Sequence, residues 1–200
     1  NKNMSTLSKI TSIVNANPDA NDSDVPTGPS NIGQFKLSAA THSNYKNGSN
    51  NAVLTDIIFT VNATNVALDP NGFRMFNKAD STTTSPCYIL DYAGGSTYQI
   101  ACWNLENSFV NASIDQGTDQ TFVLQVNVPN PKVSSSQTSV LQASIQNFSN
   151  PALVGMAANL SHIHILDRDA GFLNCGYDTT CGFNWIEYPD TVVKSTSYKS

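Results

Sequence analysis

Apolar residues recur at every second position along most of this chain, and no long stretch keeps the 3.6-residue period of a helix. Phe35, Leu37 and Ala39 alternate with Lys36 and Ser38. Val53, Thr55, Ile57, Phe59 and Val61 share one face of a longer run. Phe122, Leu124, Val126 and Val128 alternate with Gln125 and Asn127 until Pro129. Leu141, Ala143 and Ile145 alternate with Gln142 and Ser144, and Ile163 and Ile165 with His162 and His164. Neighbouring side chains on a strand point to opposite faces, so each run has one face to bury. With residues 73–76, 87–92, 97–103 and 183–188, this makes eight or nine strands joined by polar, Gly-, Pro- and Asn-rich connections. Residues 7–14 read as an edge strand, because Ser, Thr, Ile and Val dominate there. Residues 15–31, with Pro18, Pro26 and Pro29, read as a long polar loop that lets the first strand cross between sheets.

Strands with one apolar face each are buried by stacking sheets. The fold class expected is all-β: an antiparallel β-sandwich, Ig-like, with C-terminal strand and loop additions. Residues 1–200 are expected to form a single domain. The first strand and loop occupy 1–31, the core sandwich 32–150, and C-terminal strands with a disulfide loop 151–200, a stretch too short for a sandwich of its own.

Composition narrows the setting. Only 12% of residues are charged, the formal net charge is −5, and Asn, Ser and Thr make up 65 of 200 residues. The arginines are Arg74 and Arg168 alone, which argues against a nucleic-acid partner, since that needs clustered cations. No apolar run approaches the roughly 20 residues of a membrane helix, so no membrane insertion is expected. The four cysteines fall into two local pairs, neither with zinc-ribbon spacing. With low charge and abundant hydroxyls and amides, they point to an extracellular, cell-surface location.

The first cysteine pair has a geometric argument. Gly94-Gly95 is a hairpin turn signal, and pairing symmetric about it sets Cys87 opposite Cys102. A two-residue turn makes that a hydrogen-bonded pair. A loop over residues 93–96 makes it a non-hydrogen-bonded pair with closer side chains, which a disulfide should prefer. Cys175 and Cys181 would tie off a small surface loop.

Several constellations carry both a chemical and a plainer reading. His162 and His164 project from one strand face and can chelate a transition metal, or simply form an exposed face. Asp19, Asp22 and Asp24, and Asp167 with Asp169, supply the oxygen ligands calcium prefers; neither group matches an EF-hand, and Asp also caps turns. No cofactor is required; calcium is the ion these loops would take. Trp103, Trp185 and Tyr188 could stack sugars or pack a core. Asn-x-Ser/Thr triplets, among them those at Asn47, Asn62, Asn111 and Asn159, read as glycosylation sites or as chance in so Asn-rich a chain. No catalytic residues are assigned: the only glutamates are Glu106 and Glu187, and no nucleophile elbow, HExxH or P-loop occurs. The chain is therefore expected not to be an enzyme.

Five segments carry a resemblance: DSDVPTGPSNIGQFKLSAAT from Asp22, AVLTDIIFTVNATNVALD from Ala52, FRMFNKADSTTTSPC from Phe73, SIDQGTDQTFVLQVNV from Ser113 and WIEYPDTVVKSTSY from Trp185. The chain resembles Ig-like modules from secreted, multidomain surface proteins of candidate-phylum bacteria. The resemblance implies a surface or surface-layer location and no catalytic residues; residues 162–181 depart from it, notably in their cysteine pair. The function expected is a non-catalytic extracellular structural module, a surface-array, fibre or stalk subunit. Its partners would be copies of itself or neighbouring surface domains, met through strand edges or termini. The alternative is a carbohydrate-binding adhesin using exposed aromatics and calcium.

Overall fold

The structure, a computed structural model, describes residues 10–17, 22–41, 51–92, 95–108, 110–145, 163–167 and 193–200, with 91, 92, 107 and 163–167 described by their main chain. It is a β-sandwich of two antiparallel sheets. The first runs β1 (Ile10–Asn15), β2 (Gly28–Ala39), β9 (Asp119–Val128), β4 (Arg74–Asn77), β5 (Asp80–Pro86). The second runs β12 (Val193–Lys194), β10 (Val140–Ile145), β3 (Ala52–Thr64), β7 (Thr97–Cys102), β6 (Tyr88–Tyr92). β13 (Tyr198–Lys199) also pairs with β10, while β11 (Ile163–Asp167) and β8 (Ser113–Ile114) flank the start of β3.

In a constant-type Ig domain, sheet A-B-E-D faces sheet C-F-G. Here β3, β7 and β6 stand in the B-E-D places and β4 and β9 in the C-F places. β2 stands beside β9 where G would lie, and β10 beside β3 where A would lie. The first long strand thus occupies the position of a last one, and β10 that of a first.

Between the sheets, Phe35, Leu37, Phe122, Leu124, Val126 and Met75 of one sheet meet Ile57, Phe59, Val61, Ile100, Leu141 and Ala143 of the other, all fully buried. The Phe35 and Phe59 rings pack across the gap with centroids 5.5 Å apart. Removing a buried phenylalanine of this kind costs about 3–5 kcal/mol. The sheets approach closely at Gly33, where an added Cβ would sit 2.9 Å from both the Ala143 Cβ and a Phe35 ring carbon. Glycine in β2 facing alanine in β10 is what permits this approach.

Four expectations need correction. Thr55 does not share the inward face of β3. The β11 register skips over it, His164 pairing with Asp56 and Ile165 with Leu54. This one-residue bulge flips the phase, so Ala52 and Leu54 are buried before it and Ile57, Phe59, Val61 and Ala63 after it. The polar loop does not extend to residue 31, because Gly28, Pro29, Ser30 and Asn31 already pair with β9. That loop does not cross between sheets either; β1 pairs antiparallel with β2 as the edge strand of the same sheet. Finally, β5, β8, β12 and β13 add strands that alternation does not announce.

Candidate functional site

A sandwich has two open sides, and each is closed here by a different device. On one side the chain passes from β5 in the first sheet to β6 in the second through Cys87. The Cys87 amide donates to the Phe73 carbonyl at 2.9 Å, and its sulfur is bonded to Cys102 at the end of β7. The two Cα atoms lie 4.4 Å apart, the spacing of a non-hydrogen-bonded antiparallel pair, in which side chains are closest. The Cys87 amide is accordingly engaged with β4's approach rather than with β7. Register near the bridge is the symmetric one, Tyr88 with Ala101. It then slips by one at Leu90, so that Tyr92 pairs with Tyr98 and not with Thr97, its partner in the symmetric register. The covalent link therefore pins the point where the chain changes sheets.

Beside the bridge, on the outer surface, the Tyr88 ring stacks on Trp103 with centroids 5.3 Å apart and planes 21° from parallel. Tyr88 is 46% exposed and Trp103 half-buried. The next residue, Asn104, is left-handed (φ 54°), which delivers its amide to Asp56 Oδ1 at 3.3 Å. The hydroxyl of Thr55, displaced by the bulge, donates to Asp56 Oδ2 at 3.1 Å. Glu106, in the short turn Leu105–Asn107, has its carboxyl pushed above the usual range, first by burial and then by the negative charge of Asp56, with a backbone hydrogen bond opposing.

The other open side is closed by residues 193–200. Residues 193–200 lie between β10 on one side and Asn17, Asp22 and Ser23 on the other. Toward β10, Ser195 N donates to Ala143 O at 2.8 Å, and Ser139 and Ser200 exchange amide hydrogen bonds of 2.7 and 3.1 Å. Toward the other wall, Asp22 N donates to Ser197 O at 2.9 Å and Lys199 N to Ser23 O at 2.7 Å. Side chains add to this. Buried Asn17 donates to Ser195 Oγ at 3.1 Å, Thr196 Oγ1 donates to Asn17 O at 2.7 Å, and Gln142 Nε2 donates to Ser195 O at 2.7 Å. Tyr198, 8% exposed, fills the slot with its ring and donates its hydroxyl to Asn31 O at 2.8 Å. A polar seam continues over the first sheet through Gln34, which donates to Asn17 Oδ1 and accepts from Lys78 Nζ at 2.8 Å.

The anticipated site residues divide into those brought into these two places and those that are not. Cys87, Cys102 and Trp103 lie at the bridged corner. Asp22 lies in the slot, engaged by its amide, and Asp24 is exposed nearby. His164 and Asp167 are on β11, facing Asp56 and Ala52 in the register. Asn62 sits within β3, where Thr64 Oγ1 donates to its Oδ1 at 3.2 Å. Asn111 is exposed and accepts from Ser113 N, and the Ser113 hydroxyl is buried without a partner. Cys175, Cys181, Asp19, Asp169, His162, Trp185, Tyr188, Asn47 and Asn159 lie outside the described residues. Among the described residues, no three His, Cys, Asp or Glu side chains come together as a metal site, and no helix is long and apolar enough to cross a membrane.

Two features escaped sequence reasoning. The slot is assembled from segments far apart in the chain, and its two-residue strands carry too little alternation to signal themselves. Asn65 is left-handed (φ 54°) and organises the loop before β10. Its Nδ2 donates to Ser134 O, Gln137 O and Ser139 Oγ at 2.9, 3.0 and 3.1 Å, and its Oδ1 accepts from Ser134 N at 2.7 Å. Asn following a strand is a recognisable turn residue, but its four partners are not readable from it.

No protein-family profile matches the chain, and no curated protein matches it. Among solved structures, one described as "AvmM Catalyzes Macrocyclization in Alchivemycin A Biosynthesis" is similar over 77% of this chain and 86% of that one, at 11% identity and a TM-score of 0.34. A likeness that low carries no argument about function.

Proposed function

We propose that this chain is a non-catalytic extracellular structural module, a subunit of a surface array, fibre or stalk that associates with copies of itself or with neighbouring surface domains. The observation that carries the reading is the closure of both open sides of the sandwich, one by a buried disulfide and one by a strand hydrogen-bonded along both edges. A protein that bears load outside the cell needs its two sheets held together where nothing repairs an opened fold. The disulfide fits an oxidising location. Low charge lets neighbours pack without long-range repulsion. Light scattering on the purified chain, with and without calcium, tests the reading. Concentration-dependent association is expected, and a strict monomer at high concentration refutes it.

The stacked pair of Tyr88 and Trp103 favours a second reading, a carbohydrate-binding adhesin. Exposed aromatic faces pack on the apolar faces of sugars, and carboxylates such as Asp56 accept from their hydroxyls. Glycan-array binding that is lost in Tyr88→Ala supports this reading. An array with no binding removes it.

A further inference from the structure

We infer that Asn111 is the acceptor of an N-linked glycan. The inference rests on the extracellular part of the reading above and on nothing in its account of assembly.

Asn111-Ala112-Ser113 is one of the Asn-x-Ser/Thr triplets of the chain, with alanine and not proline at its centre. The fold treats its two ends differently. Asn111 is exposed. Its carbonyl accepts from Asn77 Nδ2 at 2.8 Å, which fixes it at the end of the sandwich where β4 gives way to β5. Its side-chain Oδ1 accepts from Ser113 N at 3.3 Å. An amide whose oxygen is turned back to the main chain presents its nitrogen the other way, so Nδ2, the atom that would carry the sugar, points outward. A sugar there stands off the rim of the sandwich and covers neither sheet.

Ser113 is the opposite case. Its main chain pairs with Val53 of β3, and its hydroxyl is buried with no hydrogen-bond partner. A hydroxyl in that state costs the fold stability that alanine would restore. The finished fold makes no use of it. The triplet gives it a use before β8 docks, when a glycosyl transferase reads the residue two places after the asparagine. Transfer then comes first and docking second, and the exposed position of Asn111 lets the modified chain complete the same fold. The step is a substitution. Nδ2 bonds to the anomeric carbon of a phosphate-activated oligosaccharide, the bond from that carbon to the phosphate oxygen breaks, the phosphate leaves with the electron pair, and Nδ2 gives up one proton.

The triplet at Asn62 makes the contrast. Asn62 lies inside β3, with Thr97 and Gln142 opposite it on the two flanking strands. Such neighbours stand about 5 Å away, and a sugar on Asn62 would crowd both. The Thr64 hydroxyl donates to Asn62 Oδ1 at 3.2 Å, so that hydroxyl, unlike the one on Ser113, has a place in the fold.

The test secretes the full chain from a cell line that performs N-glycosylation. Peptides are mapped by mass spectrometry before and after an amidase that releases N-glycans and leaves aspartate behind. Sugar on Asn111, a bare Asn62 and a closed bridge between Cys87 and Cys102 are the expected results. Ser113→Ala should lose the sugar from Asn111 with the bridge still closed. Made in a host without the transferase, Ser113→Ala should melt no lower than the parent chain made the same way; a lower midpoint overturns the role given to Ser113. A secreted, bridged chain with a bare Asn111, a sugar on Asn62 in preference to Asn111, or a sugar that survives Ser113→Ala overturns the inference and leaves the extracellular reading standing. A chain retained in the cell with both thiols free overturns the two together.

Discussion

Replacing Cys87 and Cys102 together by alanine removes the covalent link at the point where the chain leaves the first sheet for the second. The bridge spans a sequence separation of 15 residues. Closing a loop of that size in the unfolded chain is worth about 3 kcal/mol in the chain-entropy account. Both cysteines are buried among core residues, so alanine is the replacement that leaves no polar group there. For a chain of this size, 1 kcal/mol moves Tm by about 2–4 °C, so the double variant should melt about 6–12 °C lower. Calorimetry and urea titration on both proteins read this directly. The local consequence is separable from the global one. Amides of β6 and β7 next to the lost bridge should exchange faster relative to those of β9, which is paired on both sides by β2 and β4. A loss below about 1 kcal/mol would refute the claim that the bridge restrains the unfolded chain. Uniform acceleration of exchange would refute its local role at the sheet crossing.

Gly33→Ala should destabilise by about 1–3 kcal/mol through overpacking against Ala143 and Phe35, and an unchanged urea midpoint would show that the sheets yield there without cost. Asn65→Gly keeps the left-handed backbone but loses the four side-chain hydrogen bonds, for about 2 kcal/mol. Asn65→Ala should lose about 1 kcal/mol more for the positive φ, and equal urea midpoints for the two variants would contradict the conformational argument. Glu106 has a raised folded-state pKa because burial and Asp56 disfavour its charge, so the ionised form costs the fold stability at neutral pH. That cost disappears as pH falls through the raised value and the folded chain takes up a proton ahead of the unfolded one. Glu106→Gln should therefore be at least as stable as the parent at pH 7, with its advantage shrinking as pH falls toward about 4, near the ordinary carboxylate pKa; a lower urea midpoint at pH 7 would reverse the assignment.

The parts of this fold visible in the residues are those where one strand face meets the core. Phe35, Leu37 and Ala39 of β2, Phe122, Leu124, Val126 and Val128 of β9, and Leu141, Ala143 and Ile145 of β10 are legible as inward residues because every second position there is apolar and buried. Cys87 and Cys102 could be paired because turn position and strand register are both local quantities. Thr55 shows where local reasoning stops. One extra residue reverses every side chain beyond it, and only the partner strand β11 reveals which residue is extra. β5 was missed for a related cause. Its sequence, Asp80 through Pro86, has no apolar alternation, because an edge strand over a mostly exposed surface needs none.

Alternation and cysteine spacing were enough to determine two stacked sheets and a bridged hairpin, because period and loop length act through residues near one another in the chain. Which strands became neighbours, which side of the sandwich the disulfide closes, and the slot around Tyr198 were decided by tertiary structure alone. Those features join Asn17, Asn31, Ser139 and Ser195, and hydrogen bonds between such distant segments leave no periodic mark in a sequence.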